Sequence, residues 1–122
     1  MKNKRRIGTY YEDAAADDLI RRGYRIRERN YRCKFGEIDI IAQKDGYLIF
    51  IEVKYRSTAG WGTPQEAVDA KKRRRISNAA SWYLYSHHYP ADTPVRFDVA
   101  ALSGQSISLI ENAFPYCGSF SG

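Results

Sequence analysis

The sequence has little that would cross-link it or anchor it. Cysteine occurs twice, at Cys33 and Cys117, far apart in a chain of 122 residues, so no disulfide scaffold is implied and a reduced cytoplasm is the expectation. No apolar run approaches the ~20 residues that a membrane span needs. The opening "MKNKRRIGTYYEDAAADD" is basic but has no apolar segment after it, which argues against a secretory signal. Histidine is confined to His87 and His88, which follow a helical pattern without further ligands at metal spacing and read as a solvated helix end. Repeats, linkers and composition shifts are missing too, so residues 1–122 read as one domain with one core.

What is present is charge and tyrosine. Hydrophobic residues make up 43% and charged residues 28%, a globular balance, and the net charge is +6. A small basic protein suggests a polyanionic partner, and many bind none. The cations concentrate at the N-terminus and in "KKRRR", residues 71–75. On a helix, such a run is a solvated face or a set of phosphate contacts. The ten tyrosines serve either as core and rim packing or as surfaces for bases.

The hydrophobic periods give an α/β chain in the order α-β-β-β-α-β-β, a mixed sheet flanked by helices. A first helix is predicted over roughly Thr9 to Arg22, with Thr9 and Glu12 as a capping box and Gly23 as its stop. "YRIRERNYR" alternates as an edge strand, and "CKFG", with Cys33 in it, turns the chain. After the glycine-rich "STAGWGTP", a second helix begins near Thr63-Pro64 with Glu66 as a possible capping partner, or restarts near Asp69, and runs to about Tyr85. Val68, Ile76, Ala79, Ala80, Tyr83 and Leu84 form its buried face. "VRFDVAAL" and "SISLIENAF" supply two more strands around a Ser-Gly-Gln-Ser turn, and Asp98 is expected to pair locally with Arg96.

The informative stretch is "GEIDIIAQKDGYLIFIEVKYRS", residues 36–57, where Glu37, Asp39, Glu52 and Lys54 interrupt strand-core residues. Asp45-Gly46 is the pair favoured in two-residue type I′ turns. With that turn at the centre, opposed residues have numbers summing to 45 + 46 = 91. Asp39 then faces Glu52 and Glu37 faces Lys54, all four on one face. Ile38, Ile40, Ile49, Ile51 and Val53 occupy the other. Two carboxylates ~4 Å apart at an effective dielectric of about 20 repel by on the order of 4 kcal/mol. Two arrangements relieve this. One is a divalent cation on the carboxylate oxygens. The other is a salt-bridge ladder, Lys54 with Glu37 and Arg56 or an outside arginine on Asp39.

Asp39 followed by Glu52-Val53-Lys54 on the next strand resembles the PD-(D/E)xK signature of restriction-endonuclease-like nucleases, with Ile38 where the motif's name has proline. Across nearly its whole length the chain resembles the YraN-like family of uncharacterised bacterial proteins, related to Holliday-junction resolvases. The resemblance is carried by "GTYYEDAAADDLIRRGY", "GEIDII", "IFIEVKYR", "WGTPQEAV", "RFDVAAL" and "IENAF". It implies a restriction-endonuclease-like core. Asp39, Glu52 and the Val53 carbonyl would hold one or two Mg²⁺ or Mn²⁺ ions, and Lys54 would act on the attacking water and the phosphate. Glu12 would be the extra helix acid of resolvase-like members, or remain the capping partner of Thr9. Glu37 would be a further ligand or the partner of Lys54. Arg56, Lys72, Arg73 and Arg74 would contact DNA phosphates, and Trp61 would stack on a base or tuck against the domain edge.

The expected function is Mg²⁺-dependent endonuclease action on branched, single-stranded or otherwise non-standard DNA, with a possible homodimer and no membrane. A DNA-binding module without cleavage, acting in DNA processing or uptake, and an adaptor with a purely structural acid ladder are the alternatives.

Overall fold

The structure, a computed structural model, describes residues 4–56, 68–104 and 106–118. Helix α1 (Lys4–Arg21) is followed by strands β1 (Arg25–Cys33), β2 (Gly36–Lys44) and β3 (Tyr47–Arg56), helix α2 (Ala70–Ser86), and strands β4 (Val95–Ser103) and β5 (Ser106–Ile110). The fold is α/β, in the order expected from the sequence. The five strands form one mixed sheet in spatial order β1-β2-β3-β4-β5, with β3 and β4 parallel and the other neighbours antiparallel. The parallel pair requires a crossover, and α2 provides it.

Helix α1 starts earlier than Thr9. The preceding lysine, arginines and isoleucine are compatible with helix, so the backbone continues through the capping signal and Thr9 is an interior residue. The Thr9–Glu12 capping box therefore does not form. The helix ends as predicted: Gly23 adopts φ +96°, Tyr24 N–H donates to Leu19 O at 2.9 Å and Gly23 N–H donates to Ile20 O at 3.0 Å, a Schellman pattern that needs glycine at the left-handed position. Helix α2 takes the later of its two starts, with Asp69 as N-cap accepting from Lys72 N–H at 2.8 Å. The whole "STAGWGTP" loop, including Trp61 and the Thr63-Pro64-Glu66 alternative, lies outside the described residues, as does Gln105 of the last turn.

The β2–β3 hairpin follows the arithmetic of its turn. Asp45 and Gly46 have φ of 53° and 84°, as a type I′ turn demands, and pairs from Lys44↔Tyr47 to Ile40↔Ile51 keep the sum of 91. β1 is an edge strand, but a bulge between Ile26 and Glu28 shifts its alternation. Cys33 is its last residue, paired with Gly36, and not part of the turn.

Each face of the sheet is covered by one helix. Ala15, Ala16 and Leu19 of α1 pack on Ile40, Ile49, Ile51, Ala100 and Leu102, with Val53 against them. Ile76, Ala79, Ala80 and Tyr83 of α2 pack on Ile41, Phe50, Phe97 and Val99, with Val68 and Phe114. Burying each large side chain contributes about 1.5–3 kcal/mol, so β3, apolar on both faces, is the strand that holds the layers together. Ile38 departs from the expected pattern. It joins the α2-side cluster although Ile40, two residues on, faces α1. Strand β2 turns its faces over between them, at Asp39. Among the described residues, no helix is long and apolar enough to cross a membrane.

Candidate functional site

The β2–β3 ladder stops at Ile40↔Ile51, one pair short of Asp39. Beyond it the strands part, and the Asp39 side chain takes over from the ladder: Val53 N–H donates to Asp39 Oδ2 at 2.8 Å. That bond draws the Asp39 carboxyl onto β3, where it feels the Glu52 carboxyl. The expected juxtaposition of Asp39 and Glu52 is present, produced by a side-chain bond and not by a continued ladder.

Glu52 is only 5% exposed. Burial pushes the Asp39 carboxyl up to about 9, with the Glu52 carboxyl adding to the effect and the Val53 N–H opposing it. At neutral pH Asp39 therefore holds a proton in the metal-free protein. The second buried carboxylate of the sheet is built quite differently. Asp98, 0% exposed, accepts four hydrogen bonds: Arg96 Nε at 2.9 Å, Arg96 Nη2 at 2.8 Å, Tyr24 OH at 2.9 Å and Asn112 N–H at 2.9 Å. Its local pairing with Arg96 is as expected, and its hydrogen-bonding capacity is well used. One sheet thus contains one buried acid that is fully partnered and two that are turned on each other.

Lys72 of α2 supplies the nearest positive charge, with its Nζ 3.0 Å from Glu52 Oε2. Burial works against this ammonium, and the charges of Glu52, Asp39 and Glu37 outweigh it, so its pKa is raised. The contact has ion-pair distance but not hydrogen-bond direction, which leaves the buried Oε2 without a directed donor. The sequence assigned Lys72 to DNA. The signal for its inward aim was available: with Asp69 as N-cap, Lys72 lies one turn before Ile76 on the stripe that continues through Ala79 and Tyr83.

The other expected site residues divide. Lys54 is half-buried on β3, and among the described residues it has no ion-pair or hydrogen-bond partner. Glu37 does not pair with it. Glu37 is exposed and pairs with Arg32, its cross-strand neighbour on β1, at 3.5 Å. The ladder of Lys54 with Glu37 is thereby overturned, because β1 reaches Glu37 from the other side. No cation from the described residues sits on Asp39, and the side chain of Arg56 lies outside them.

Glu12 is half-buried; burial raises its pKa, and the charge of Arg29 and the side chain of Asn30 oppose this. Its charge acts on Asp39. Among the described residues, no three His, Cys, Asp or Glu side chains converge as a metal cluster. Arg73 Nε donates to the Val68 carbonyl at 2.7 Å, and its guanidinium lies 5.3 Å from the Phe114 ring centre. Arg74 is exposed. Two of the five residues of the basic run, Lys72 and Arg73, therefore face the protein.

Two carboxylates, one of them with its Oε2 lacking a directed donor, are hard oxygen donors of the kind that suits Mg²⁺ or Mn²⁺. Without metal, the raised Asp39 pKa links stability to pH. The folded state holds a proton that the unfolded chain, with an ordinary carboxyl, has already released. Stability is full below the unfolded value and is lost as pH rises towards the folded value of about 9. In chelator, the melting temperature is expected to fall steadily from about pH 5 to pH 9, and a flat profile would contradict a protonated Asp39.

Fold and site together define a class: an α/β protein with a mixed five-stranded sheet and a carboxylate pair, Glu52 buried and Asp39 half-buried, where strands β2 and β3 part. The chain belongs to uncharacterised protein family UPF0102, whose family model matches residues 11–102. It is 49% identical to a UPF0102 protein of Lachnoclostridium phytofermentans over 117 residues, covering 96% of this chain and 99% of that one. A UPF0102 protein of Fusobacterium nucleatum is 46% identical over 110 residues (90% of this chain, 92% of the relative), and one of Moorella thermoacetica is 50% identical over 99 residues (81% and 82%). The family expected from the sequence motifs, the YraN-like proteins, is the one found.

Proposed function

We propose that the chain is a divalent-metal-dependent endonuclease of the PD-(D/E)xK type, related to Holliday-junction resolvases and acting on branched or otherwise non-standard DNA. The observation that carries this reading is the Asp39–Glu52 pair: a half-buried acid drawn beside a buried one, in a fold whose fully partnered Asp98 shows that a carboxylate can be satisfied when it is only structural. Asp39, Glu52 and the Val53 carbonyl would hold one or two Mg²⁺ or Mn²⁺ ions. When bound, the metal supplies charge stabilisation at the phosphoryl oxygens and lowers the pKa of water.

The chain's own residues do the rest. Val53 N–H fixes Asp39, and the apolar cores on both faces keep β3 rigid beneath the phosphate. Lys54, with no partner among the described residues, orients the attacking water and faces the negative charge that builds on the phosphate oxygens. Water's oxygen forms the new bond to phosphorus as the bond to the leaving sugar oxygen breaks, and the water proton is released. A homodimer would place two such sites on two strands.

A second reading has its own support. The Lys72 ammonium already sits on Glu52, where it serves as an internal cation in a DNA-binding module that does not cut. Cleavage assays on single-strand, flap, junction and duplex DNA with Mg²⁺ or Mn²⁺ separate the two. The nuclease reading expects metal-dependent cutting of at least one non-duplex substrate, lost in chelator. Binding without cutting on the whole panel establishes the module.

A further inference from the structure

Helix α2 carries five cations in its first two turns and no acid anywhere along Ala70–Ser86. Folding does not favour that. The start of a helix is the positive end of its dipole, and like charges three or four residues apart repel across one face. Two of the five have partners in the fold: Lys72 lies on Glu52, and Arg73 donates to the Val68 carbonyl. Lys71, Arg74 and Arg75 are exposed, and among the described residues none of the three has an ion-pair partner.

The cations continue into rings. Lys71, Arg75, Asn78, Trp82 and Tyr85 recur at spacings of four, three, four and three, an outward stripe beside the buried one of Ile76, Ala79 and Tyr83. Trp82 and Tyr85 have ring centres 5.7 Å apart, and Tyr85 is 56% exposed. From the turn between β1 and β2, Phe35 reaches Trp82 with ring centres 6.1 Å apart. The exposed Lys34 holds its Nζ 5.3 Å from the Phe35 ring centre and 5.4 Å from that of Trp82. Phe35 also packs on the α2-side core, so the turn presents both side chains from a fixed base.

The stripe runs between two walls. A Cβ at Gly36 would stand 3.4 Å from Arg75 Cβ, so the β1–β2 turn closes one side. On the other, Ser81 Oγ donates to the Tyr116 hydroxyl at 2.8 Å and Cys117 N–H donates to Ser77 Oγ at 3.1 Å, which holds the C-terminal segment against α2. One end lies by the acids: Lys71 neighbours Lys72, whose Nζ is 3.0 Å from Glu52 Oε2. Trp82 is ten residues beyond Lys72, about 15 Å along the helix axis.

Cations leading to rings suit a single nucleic-acid strand, whose phosphates meet charge and whose unpaired bases meet π-faces. In continuous duplex the base faces are already stacked. An acidic peptide would use the cations and leave the rings without a role. An exposed ammonium holds a ring more weakly than a stacked base does, so a base can replace Lys34 on Trp82 and free it for a phosphate. Resting on the nuclease reading, we infer that this stripe is the track for a single-stranded arm of the DNA leading away from Glu52, with Lys71 and Arg75 on its phosphates and Phe35, Trp82 and Tyr85 on its bases.

The test uses the full chain with Ca²⁺ in place of Mg²⁺, and reads Kd by anisotropy for a labelled single strand and a labelled duplex over a series of salt concentrations. Arg75→Ala is expected to lower the single-strand salt slope by about one, as loss of one phosphate contact predicts. Trp82→Ala is expected to weaken single-strand binding about fivefold or more at each salt concentration, with the slope and duplex binding unchanged, and Trp82→Phe to recover most of the loss. Tyr85→Ala, at an exposed position, is expected to act in the same direction and serves where Trp82→Ala does not fold. Single-strand binding unchanged in both Arg75→Ala and Tyr85→Ala overturns the track, and so does an equal loss on duplex in the ring variants. Wild-type cleavage of the substrate panel with Mg²⁺ keeps the two readings apart. A protein that cuts while the variants bind normally loses the track alone, and a track without cutting loses the nuclease alone. A wild type that binds no DNA of any form overturns both.

Discussion

Lys54→Ala is expected to reduce metal-dependent cleavage by about 10²–10⁴-fold while leaving DNA affinity within a few fold. Lys54 follows Glu52 and Val53 on a strand locked between two cores, so its position is fixed by β3. Among the described residues no acid neutralises it, whereas Lys72 is engaged with Glu52 and Arg96 with Asp98. A half-buried ammonium without a partner among the described residues is available to water and to developing phosphate charge. An interaction made only in the transition state lowers kcat and spares binding when removed. Single-turnover cleavage at saturating DNA, with a separate measurement of Kd in Ca²⁺, resolves the two quantities. A loss confined to Kd would make Lys54 a phosphate anchor. Unchanged cleavage would remove it from the chemistry.

Lys72 gives a useful contrast on the opposite side of the acids. Its charge is spent on Glu52 in the metal-free protein, and a divalent ion at the same oxygens would compete with it directly. Replacing Lys72, Arg73 and Arg74 together as a probe of DNA contacts would therefore also disturb the acid pair and the Arg73 bond to Val68. Arg74 alone, exposed on α2, is the cleaner probe of that face.

Much of this arrangement was legible in the residues, and the gaps have physical causes. Asp45-Gly46 set a hairpin register that the structure keeps from Lys44 to Ile40, because a type I′ turn leaves little freedom in how its strands pair. The Gly23 stop was readable because only glycine takes that left-handed position cheaply. The start of α1 was not, because Thr9 is a good N-cap that upstream helix formers override. The meeting of Asp39 and Glu52 was foreseen, but counting along a ladder does not reveal where the ladder ends. The strands part at Asp39, Ile38 turns to the α2 side, and Val53 N–H bonds to a side chain where a continuing ladder had been assumed. The partner of Glu37 was missed because it comes from β1, whose bulge at Ile26 and Glu28 carries no clear mark in the sequence. The inward aim of Lys72 was hidden by its place in a basic run, which reads as surface until the helix phase is followed from Asp69.

The central claim is that Asp39 and Glu52 are kept together for a cation. Thermal unfolding of wild type and Asp39→Asn, each with chelator and with Mg²⁺ or Mn²⁺, tests it most directly and needs no substrate. The amide keeps the shape of Asp39, can still accept from Val53 N–H, and needs no proton to be neutral beside Glu52. In chelator near neutral pH the variant is expected to be as stable as wild type or more so, by up to about a few kcal/mol, because the wild-type fold must take up a proton that the unfolded chain has released. Metal is expected to raise the melting temperature of wild type with concentration, since a ligand that binds only the native state stabilises it, and to leave Asp39→Asn unmoved. A wild type indifferent to metal, with a variant that melts lower in chelator, would show the acids to be structural and contradict the account.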